Sequence, residues 1–390
     1  HTIIIMIIKM KRIKKTIYIS LVCILICAIG CANMGSVSEN NNSTLSSHFK
    51  GLFHLGAAIN EETILVKDSK SVSIVKSEFN SITPENSLKW MYIQSEPNRF
   101  NFEVADKYVE LGLKNNMYIV GHALVWHNQL ANFMQIVDDA DEMQQYVTNH
   151  VNTVVSRYRG KIDAWDVVNE AFDEDGSLRK SVFYNNLGED YIENVFKLAE
   201  KADPQADLIY NDYNVYKPKK RAGILKMVKK FKSKGVKIDG VGVQAHWDLK
   251  SPSIDQIEQI ILDVHAAGVP VSFTELDISV LPNPWEMVGA EVTQNFSQFE
   301  GDPKMSPYPN KLPLKVQKQL AKRYHDIFKL FVKHSDKINR VTFWGVMDKH
   351  SWLNDWPIKG RTNYPLLFDR NYNPKPAYKS VLEVNTNQQN

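Results

Sequence analysis

Eight short apolar runs, separated by longer amphipathic stretches, constrain the fold of this chain more than any other feature of its sequence. Each run has four to seven residues, which is the length of a buried strand rather than of a helix. The predicted strands are Phe53–Ile59, Phe79–Thr83, Met117–Gly121, Ala164–Val168, Asp207–Tyr210, Gly240–Gln244, Val271–Thr274 and Val341–Trp344. The predicted helices include Glu142–Tyr158, Tyr191–Ala202, Lys219–Lys234, Ile254–Ala267 and Lys315–His334.

Strands that alternate with helices indicate βα units and a parallel sheet. Eight such units in about 335 residues predict an α/β fold of the (β/α)8 TIM barrel type, as a single domain over residues 48–384. A doubly wound sheet is the alternative, but no Gly-x-Gly-x-x-Gly motif follows the first predicted strand. A barrel also predicts that functional side chains collect just after the C-terminal ends of the strands.

Polar and aromatic side chains do follow the predicted strands in this way. In chain order they are Glu85, Asn86 and Lys89; His122, Trp126 and His127; Asn169 and Glu170; Asn211 and Asp212; Gln244 and His246; Glu275 and Asp277; and Trp344 and Trp352. Carboxylates, amides, imidazoles and indoles therefore surround one predicted barrel mouth, which indicates a functional site there.

Composition excludes several kinds of partner and site. The formal net charge is +3, but five basic residues and no acid precede residue 31, so the remainder carries −2 and has no electrostatic pattern for nucleic acid. All three cysteines lie within the first 31 residues, which leaves the domain without a disulfide or a cysteine nucleophile. His122, His127 and His246 lack the spacing of a helical zinc motif, so we expect no metal and no other cofactor.

Residues 1–31 have the pattern of an export leader, with Met10 as the predicted start. A basic segment precedes an apolar stretch that is too short for a membrane-spanning helix of about 20 residues. Its last four residues, Ala-Ile-Gly-Cys, resemble a lipobox and predict lipidation of Cys31, which would give a lipoprotein at the cell envelope or surface. Ordinary signal cleavage and free secretion are the alternative. Residues 32–47 are predicted to be a flexible Asn- and Ser-rich tether, and 385–390 a polar tail.

Two glutamates follow apolar strands on opposite sides of the predicted barrel. Glu170 closes the fourth predicted strand and Glu275 the seventh, so both side chains are expected to face one cleft. Glycoside hydrolysis needs one protonated and one ionised carboxyl group on either side of the scissile bond. Structural ion pairing would explain one such glutamate, but the opposed pair favours catalysis.

The same strand ends carry a family resemblance. The motifs, in order, are Phe79–Trp90 (FNSITPENSLKW), Gly121–His127 (GHALVWH), Trp165–Ala171 (WDVVNEA), Asn211–Asn214 (NDYN), Gly242–His246 (GVQAH), Thr274–Asp277 (TELD), Phe343–Gly345 (FWG), Pro365–Asp369 (PLLFD) and Pro374–Tyr378 (PKPAY). Together they make residues 50–380 resemble an endo-β-1,4-xylanase of glycoside hydrolase family 10. The chain departs from that pattern at Leu88, Ala123, Ala131 and Phe133, where Met, Thr, Pro and Trp are usual.

The resemblance implies a role for each strand-end residue. Glu170 becomes the general acid and base, and Glu275 the nucleophile, of a retaining double displacement. The supporting residues are expected to be Asn169, His246, Asp277 and Asp212. Asn169 would bind the sugar 2-hydroxyl, and His246 would hydrogen-bond Glu275 while Asp277 fixes the imidazole tautomer.

Eight further residues are expected to bind substrate on the same grounds. They are Glu85, Asn86, Lys89, His122, Trp126, Gln244, Trp344 and Trp352. The first three resemble glycone-side contacts of the family, and the tryptophans offer flat faces on which a pyranose ring stacks.

The sequence thus predicts a retaining endo-1,4-β-xylanase that acts on xylan and xylo-oligosaccharides. It is expected to be a monomer that touches a membrane only through its lipid anchor. Another β-1,4-glycanase, such as an endoglucanase, is the alternative on the same barrel, and Trp352 is expected to decide whether a C6 hydroxymethyl group fits. A non-catalytic polysaccharide-binding lipoprotein is the alternative of a different class, but binding alone does not require two opposed carboxylates.

Overall fold

Nine strands form the framework of the part of the chain that the structure, a computed structural model, describes: residues 43–284, 287 and 291–386. The strands are β1 (His54–Ile59), β2 (Ser81–Pro84), β3 (Tyr118–Trp126), β4 (Ala164–Asn169), β5 (Asp207–Asp212), β6 (Gly240–Val243), β7 (His246–Asp248), β8 (Val271–Ser279) and β9 (Ile338–Phe343). The predicted leader with Met10 and Cys31 lies outside the described residues, as do most of the predicted tether and residues 387–390.

Eight of these strands close into a parallel barrel. Strands β1 to β6 pair in sequence order, β6 pairs with β8, β8 with β9, and β9 with β1. The short strand β7 lies beside the end of β8, with His246 opposite Asp277. The predicted (β/α)8 barrel is confirmed, and the doubly wound sheet is excluded because the sheet has no open edge between β1 and β9.

Thirteen α-helices accompany the strands in the described part of the chain. They are α1 (Leu45–His48), α2 (Glu61–Ile64), α3 (Ser69–Glu78), α4 (Trp90–Ile93), α5 (Glu103–Lys114), α6 (Asn132–Gln135), α7 (Ala140–Arg157), α8 (Val182–Leu187), α9 (Tyr191–Ala202), α10 (Pro218–Ser233), α11 (Ile254–Ala266), α12 (Leu314–Lys333) and α13 (Pro376–Leu382). No helix among residues 43–284, 287 and 291–386 is long and apolar enough to cross a membrane.

Helix α12 shows how the amphipathic segments cover the barrel. Its Phe331 stacks on Phe273 of β8 with ring centroids 4.2 Å apart, and Phe328 stacks on Phe343 of β9 at 5.9 Å. All four rings are buried. Burial of apolar surface, to which these rings contribute a large share per residue, is the main favourable contribution to helix packing on a sheet.

Helix α1 includes Leu45–Ser47, the last three residues of the segment predicted to be a tether. Thr44 and Ser47 form a capping box at its start. Leu45 is buried, and its backbone N–H donates to the Glu78 carboxylate at 2.9 Å. The first described residues are therefore packed against helix α3.

Strands β3 and β8 extend further than predicted. Predicted as Met117–Gly121 and Val271–Thr274, they continue to Trp126 and Ser279. The extensions carry polar side chains, such as His122 and Asp277, that are buried inside the folded domain rather than exposed to water. An apolar-run rule ends a strand at these residues, although both are buried.

A buried ion pair holds the segment that follows β9. Lys375 Nζ lies 2.8 Å from Asp348 Oδ2 and donates to the carbonyl oxygens of Tyr364 and Leu366 at 2.8 and 2.6 Å. The other oxygen of Asp348 accepts from the Leu366 N–H at 2.9 Å. These bonds join the loop that carries Trp352 to the last part of the chain.

Replacing Lys375 with Met is expected to destabilise the protein by about 3–5 kcal/mol, because Asp348 would remain buried without its cation. Chemical denaturation measures the change in the free energy of unfolding. Lys379→Met, at an exposed position of helix α13, which begins directly after Lys375, is the matched control. Equal losses in the two variants would contradict the buried pair as the cause.

Candidate active site

A cleft lies at the C-terminal mouth of the barrel. It is lined by Glu85, Asn86, Lys89, His122, Trp126, Gln129, Asn169, Glu170, Gln244, His246, Glu275, Val292, Trp344 and Trp352. Twelve of these were predicted as site residues, and parallel strands bring them together because all their C-terminal ends point to one face. Asp212 and Asp277, also predicted, lie behind this lining.

Glu170 immediately follows β4 and is 2% exposed. Its Oε2 accepts from Trp126 Nε1 at 2.8 Å, and its Oε1 accepts from Gln244 Nε2 at 2.7 Å. Burial raises the pKa of Glu170 to about 8; the two hydrogen bonds oppose that rise, and the negative charges of Asp212 and Glu275 add to it. The group is therefore protonated at neutral pH.

Glu275 lies in β8 and is buried like Glu170, with 4% of its surface exposed. Its polar partners are different. Oε1 accepts from Asn211 Nδ2 at 2.8 Å, and Oε2 lies 3.1 Å from His246 Nε2. Burial alone would raise its pKa, but the hydrogen bond from His246, the charges of His122 and His246, and Asn211 together hold the pKa below its usual value. This carboxyl group is ionised at neutral pH.

His246 is a buried cation between two carboxylates. Its Nδ1 lies 3.0 Å from Asp277 Oδ2, opposite the contact with Glu275. Burial lowers its pKa, but Asp277 and Glu275 outweigh that effect and raise the pKa to about 10. Asp277 Oδ2 also accepts from Trp352 Nε1 at 2.8 Å, so the same carboxylate orients both rings.

A chain of amide groups connects the two glutamates. Gln244 Nε2 lies 2.7 Å from Glu170 Oε1 and 3.3 Å from Asn169 Oδ1. Asn211 Nδ2 lies 3.0 Å from Asn169 Oδ1 and 2.8 Å from Glu275 Oε1. Asn211 is itself oriented by the Thr274 hydroxyl, which donates to its Oδ1 at 2.6 Å. The amides fix the separation and orientation of the carboxyl groups without adding net charge.

Asp212 acts on the site from a distance. It is fully buried, its Oδ1 lies 2.8 Å from Lys220 Nζ, and its Oδ2 accepts from the Tyr210 hydroxyl. That hydroxyl in turn accepts from the Ala171 N–H at 2.9 Å. Asp212 therefore supports the backbone beside Glu170 and contributes negative charge near it.

Lys89 lies between acidic and aromatic groups on one side of the cleft. Its Nζ donates to Asn86 Oδ1 at 3.0 Å and lies 5.1 Å from the Trp126 ring centroid and 5.9 Å from that of Trp344. Burial lowers the pKa of Lys89, and the charges of Glu85, Glu275 and Glu170 oppose the change. The cluster presents a cation, an amide and indole faces to the cleft, which suits a neutral hydroxylated ligand.

His122 is positioned by polar groups inside the barrel. Its Nδ1 lies 3.0 Å from Asp166 Oδ2, and Asp166 Oδ1 lies 3.5 Å from Arg340 Nη2. The Trp344 ring packs on His122 edge to face with centroids 5.3 Å apart. Trp352, another residue predicted to stack on substrate, packs on Trp356 with ring centroids 4.4 Å apart.

Sequence reasoning missed three residues of the site. Asn211 had been noted at a strand end but received no role, although it bonds Glu275 directly. Gln129 and Val292 line the cleft from loops that no motif marks. Val292 follows β8 by many residues, so only the folded loop could place it there.

Comparison with known proteins identifies the family of this chain. The family model for glycosyl hydrolase family 10 matches residues 44–384. This chain belongs to that family. It is 40% identical over 349 residues to endo-1,4-beta-xylanase A of Xylanibacter ruminicola, covering 88% of this chain and 94% of the relative. It is 39% identical over 342 residues to a beta-1,4-xylanase of Dictyoglomus thermophilum, covering 87% and 90%.

Solved structures give the same result. A family 10 endoxylanase retrieved from a sugarcane soil metagenome superposes with a TM-score of 0.84 at 47% sequence identity, covering 87% of this chain and 100% of the other. The family predicted from the strand-end motifs is therefore confirmed.

The opposite protonation of the two glutamates is directly measurable. In protein labelled with carbon-13 at the Glu carboxyl groups, we expect NMR to show Glu170 losing its proton near pH 8 and Glu275 ionised well below neutral pH. Glu275→Gln should lower the pKa of Glu170, because a neighbouring negative charge is removed. Glu170→Gln identifies the Glu170 carboxyl signal, because that signal is missing from its spectrum. An ordinary pKa near 4.3 for Glu170 would contradict its assignment as the buried acid.

Proposed function

We propose that this protein hydrolyses internal β-1,4-xylosidic linkages of xylan with retention of anomeric configuration. The supporting observation is a pair of buried carboxyl groups in one cleft, of which Glu170 has a raised pKa and Glu275 a lowered one. Opposite environments of this kind divide an acid from a nucleophile. The relatives named above as xylanases support the choice of xylan as the polymer.

In the first step Glu275 attacks the anomeric carbon and Glu170 gives its proton to the departing sugar oxygen. The glycosidic C–O bond breaks, and a covalent bond forms between the sugar and Glu275. His246 and Asn211 keep the Glu275 carboxylate ionised and oriented for this attack. Asn169 is placed to bind the sugar 2-hydroxyl, a contact that strengthens as positive charge develops on the ring.

In the second step Glu170 changes its role. Once Glu275 is esterified its negative charge is gone, and one of the causes of the raised pKa of Glu170 is removed. Glu170, ionised after the first step, takes a proton from water as the water oxygen attacks the anomeric carbon. The Glu275–sugar bond breaks, and both carboxyl groups return to their starting states.

Substrate is held by the other residues of the cleft. Glu85, Asn86 and Lys89 bind glycone hydroxyl groups, and Gln244 and His122 complete the polar contacts around the ring next to Glu275. The faces of Trp126, Trp344 and Trp352 pack on pyranose CH groups.

Product analysis tests this substrate assignment. We expect unsubstituted xylan to be cut to a mixture of xylo-oligosaccharides, with carboxymethylcellulose cut far more slowly. Equal rates on the two polymers would favour the broader β-1,4-glycanase, and binding without hydrolysis would favour a polysaccharide-binding protein.

Glu170→Ala separates the two steps of the mechanism. A sugar alkoxide is a poor leaving group, so xylan hydrolysis should fall by about 10²–10⁴-fold, while cleavage of an aryl xylobioside with an activated leaving group needs little acid help. Hydrolysis of the glycosyl-enzyme should then limit turnover of the aryl substrate, and azide should restore it with release of a β-glycosyl azide.

Glu275→Ala is the matched control for that experiment. It lacks the nucleophile, so both substrates should lose turnover and azide should give no β-glycosyl azide. Equal losses on both substrates in Glu170→Ala, without azide rescue, would mean that the acid lies elsewhere. A tenth of wild-type activity in Glu275→Ala would contradict the nucleophile assignment.

We propose further that the protein is exported and lipidated at Cys31. The support is the basic and apolar leader ending in Ala-Ile-Gly-Cys. The alternative is ordinary signal cleavage and secretion without a lipid anchor.

Cys31→Ala should leave xylan hydrolysis unchanged and move the protein from the membrane fraction to the soluble fraction. Labelling with a fatty-acid analogue should be lost at the same time. Unchanged fractionation and labelling would show that Cys31 is not the anchor site. Cys27→Ala is the matched control and should keep both properties.

A further inference from the structure

Arg179 and Glu291 have no part in the mechanism above, yet they are joined to the backbone of Glu170. Arg179 lies in the loop between β4 and α8, where its N–H donates to Ala171 O at 2.8 Å. Its guanidinium has four polar partners: Nε donates to Glu170 O at 3.0 Å, Nη2 donates to the Tyr213 hydroxyl at 2.9 Å, and Nη1 lies 3.0 Å from Glu291 Oε2 and 3.6 Å from Asp173 Oδ1. The planar fork of arginine suits this task because its donors diverge in fixed directions.

Glu170 needs such support because its backbone lies in the left-handed region, with φ at 59°. A residue with a Cβ atom adopts this conformation only when its surroundings enforce it. Three hydrogen bonds do so: Glu170 N–H donates to Asn211 O at 2.9 Å, Ala171 N–H donates to the Tyr210 hydroxyl, and Arg179 binds Glu170 O. The direction of the Glu170 side chain follows from this backbone conformation.

Glu291 connects this support to the opposite side of the barrel. It belongs to residues 280–313, which follow β8, the strand that carries Glu275. Besides Arg179, its carboxylate accepts from the Thr293 hydroxyl at 2.8 Å, the Tyr213 hydroxyl at 3.4 Å and Asn128 Nδ2 at 3.5 Å. The side chains of Arg179 and Glu291 are only 17% and 14% exposed, so the pair is largely shielded from solvent.

We infer that Arg179 is a positioning residue for the acid Glu170, and that Glu291 holds Arg179 in the required orientation. The segment following the nucleophile strand thereby fixes the direction in which the acid points. This inference rests on the proposed function. Proton donation requires the acid to lie within hydrogen-bond reach of the departing oxygen, and a displacement of about 1 Å is enough to cost about 10²-fold in rate.

Arg179→Gln tests the inference by the dependence on the leaving group. We expect kcat/KM for xylan to fall by about 10²-fold, with most of the loss in kcat. The activated aryl xylobioside needs no acid in its first step, so its kcat/KM should change by less than about threefold. Azide should increase kcat for this substrate, because Glu170 is also misplaced as the base of the second step. Lys180→Gln is the matched control, because it removes a positive charge at the next residue. The Lys180 ammonium group lies over the Tyr184 ring, and this variant should behave as wild type.

Glu291→Gln decides the matter should Arg179→Gln fail to fold, because it leaves Arg179 in the chain and removes only the carboxylate charge that orients its guanidinium. We expect Glu291→Gln to lower kcat/KM for xylan by less than Arg179→Gln does, and to leave kcat/KM for the aryl substrate nearly unchanged. Glu300→Gln, an exposed position in the same segment, is its control. The double variant Arg179→Gln with Glu291→Gln should lose no more than Arg179→Gln alone, since both act through one contact.

Several outcomes would overturn the inference. Equal losses on xylan and the aryl substrate would indicate general damage to the site, and additive losses in the double variant would show independent roles. Wild-type kinetics in Glu291→Gln would show that it does not hold Arg179. A wild-type protein that hydrolyses neither substrate would instead contradict the proposed function, so the two failures are distinguishable.

Discussion

Strand β9 pairs with β1, with Arg340 opposite His54, and this pairing turns a row of parallel strands into a closed barrel. Closure brings the end of β4 and the end of β8 to the same mouth, although Glu170 and Glu275 are far apart in sequence. It also places Arg340 where its guanidinium faces Asp166, which in turn positions His122. Each distance in the cleft depends on this geometry, because no local segment contains both glutamates.

Within the cleft, burial acts equally on the two carboxyl groups, and their partners make the difference. Glu275 faces a protonated His246, whose charge is maintained by Asp277. Glu170 accepts from neutral donors, the Gln244 amide, the Trp126 indole and, at 3.5 Å, the Asn169 amide, and it senses the negative charges of Asp212 and Glu275. Two glutamates of the same burial therefore hold opposite protonation states at neutral pH, which is the electrostatic requirement of the proposed mechanism.

Residues behind the cleft lining form a second hydrogen-bond network, which holds the backbone of Glu170 and Ala171. Asp212 and Tyr210 hold the N–H of Ala171, and Arg179 holds the carbonyl of Glu170. These contacts enforce a backbone conformation that glutamate does not adopt by itself. Glu291, which follows β8 in the sequence, lies 3.0 Å from Arg179 and so links the segment after β8 to this network.

The sequence by itself determined the barrel, because eight apolar runs alternating with amphipathic helices have few other ways to bury their surfaces. It also determined which polar residues reach the mouth, since the residue after a buried strand is placed by the strand. It did not determine the lengths of β3 and β8, whose polar ends are buried only in the closed barrel, or the contacts of Asn211, Gln129, Val292 and Glu291. Those contacts cross between strands or come from a long loop, and hydrogen bonds between distant segments leave no periodic signal in the sequence. The protonation states were likewise decided by the tertiary structure, because a pKa depends on burial and on charges that only folding brings near.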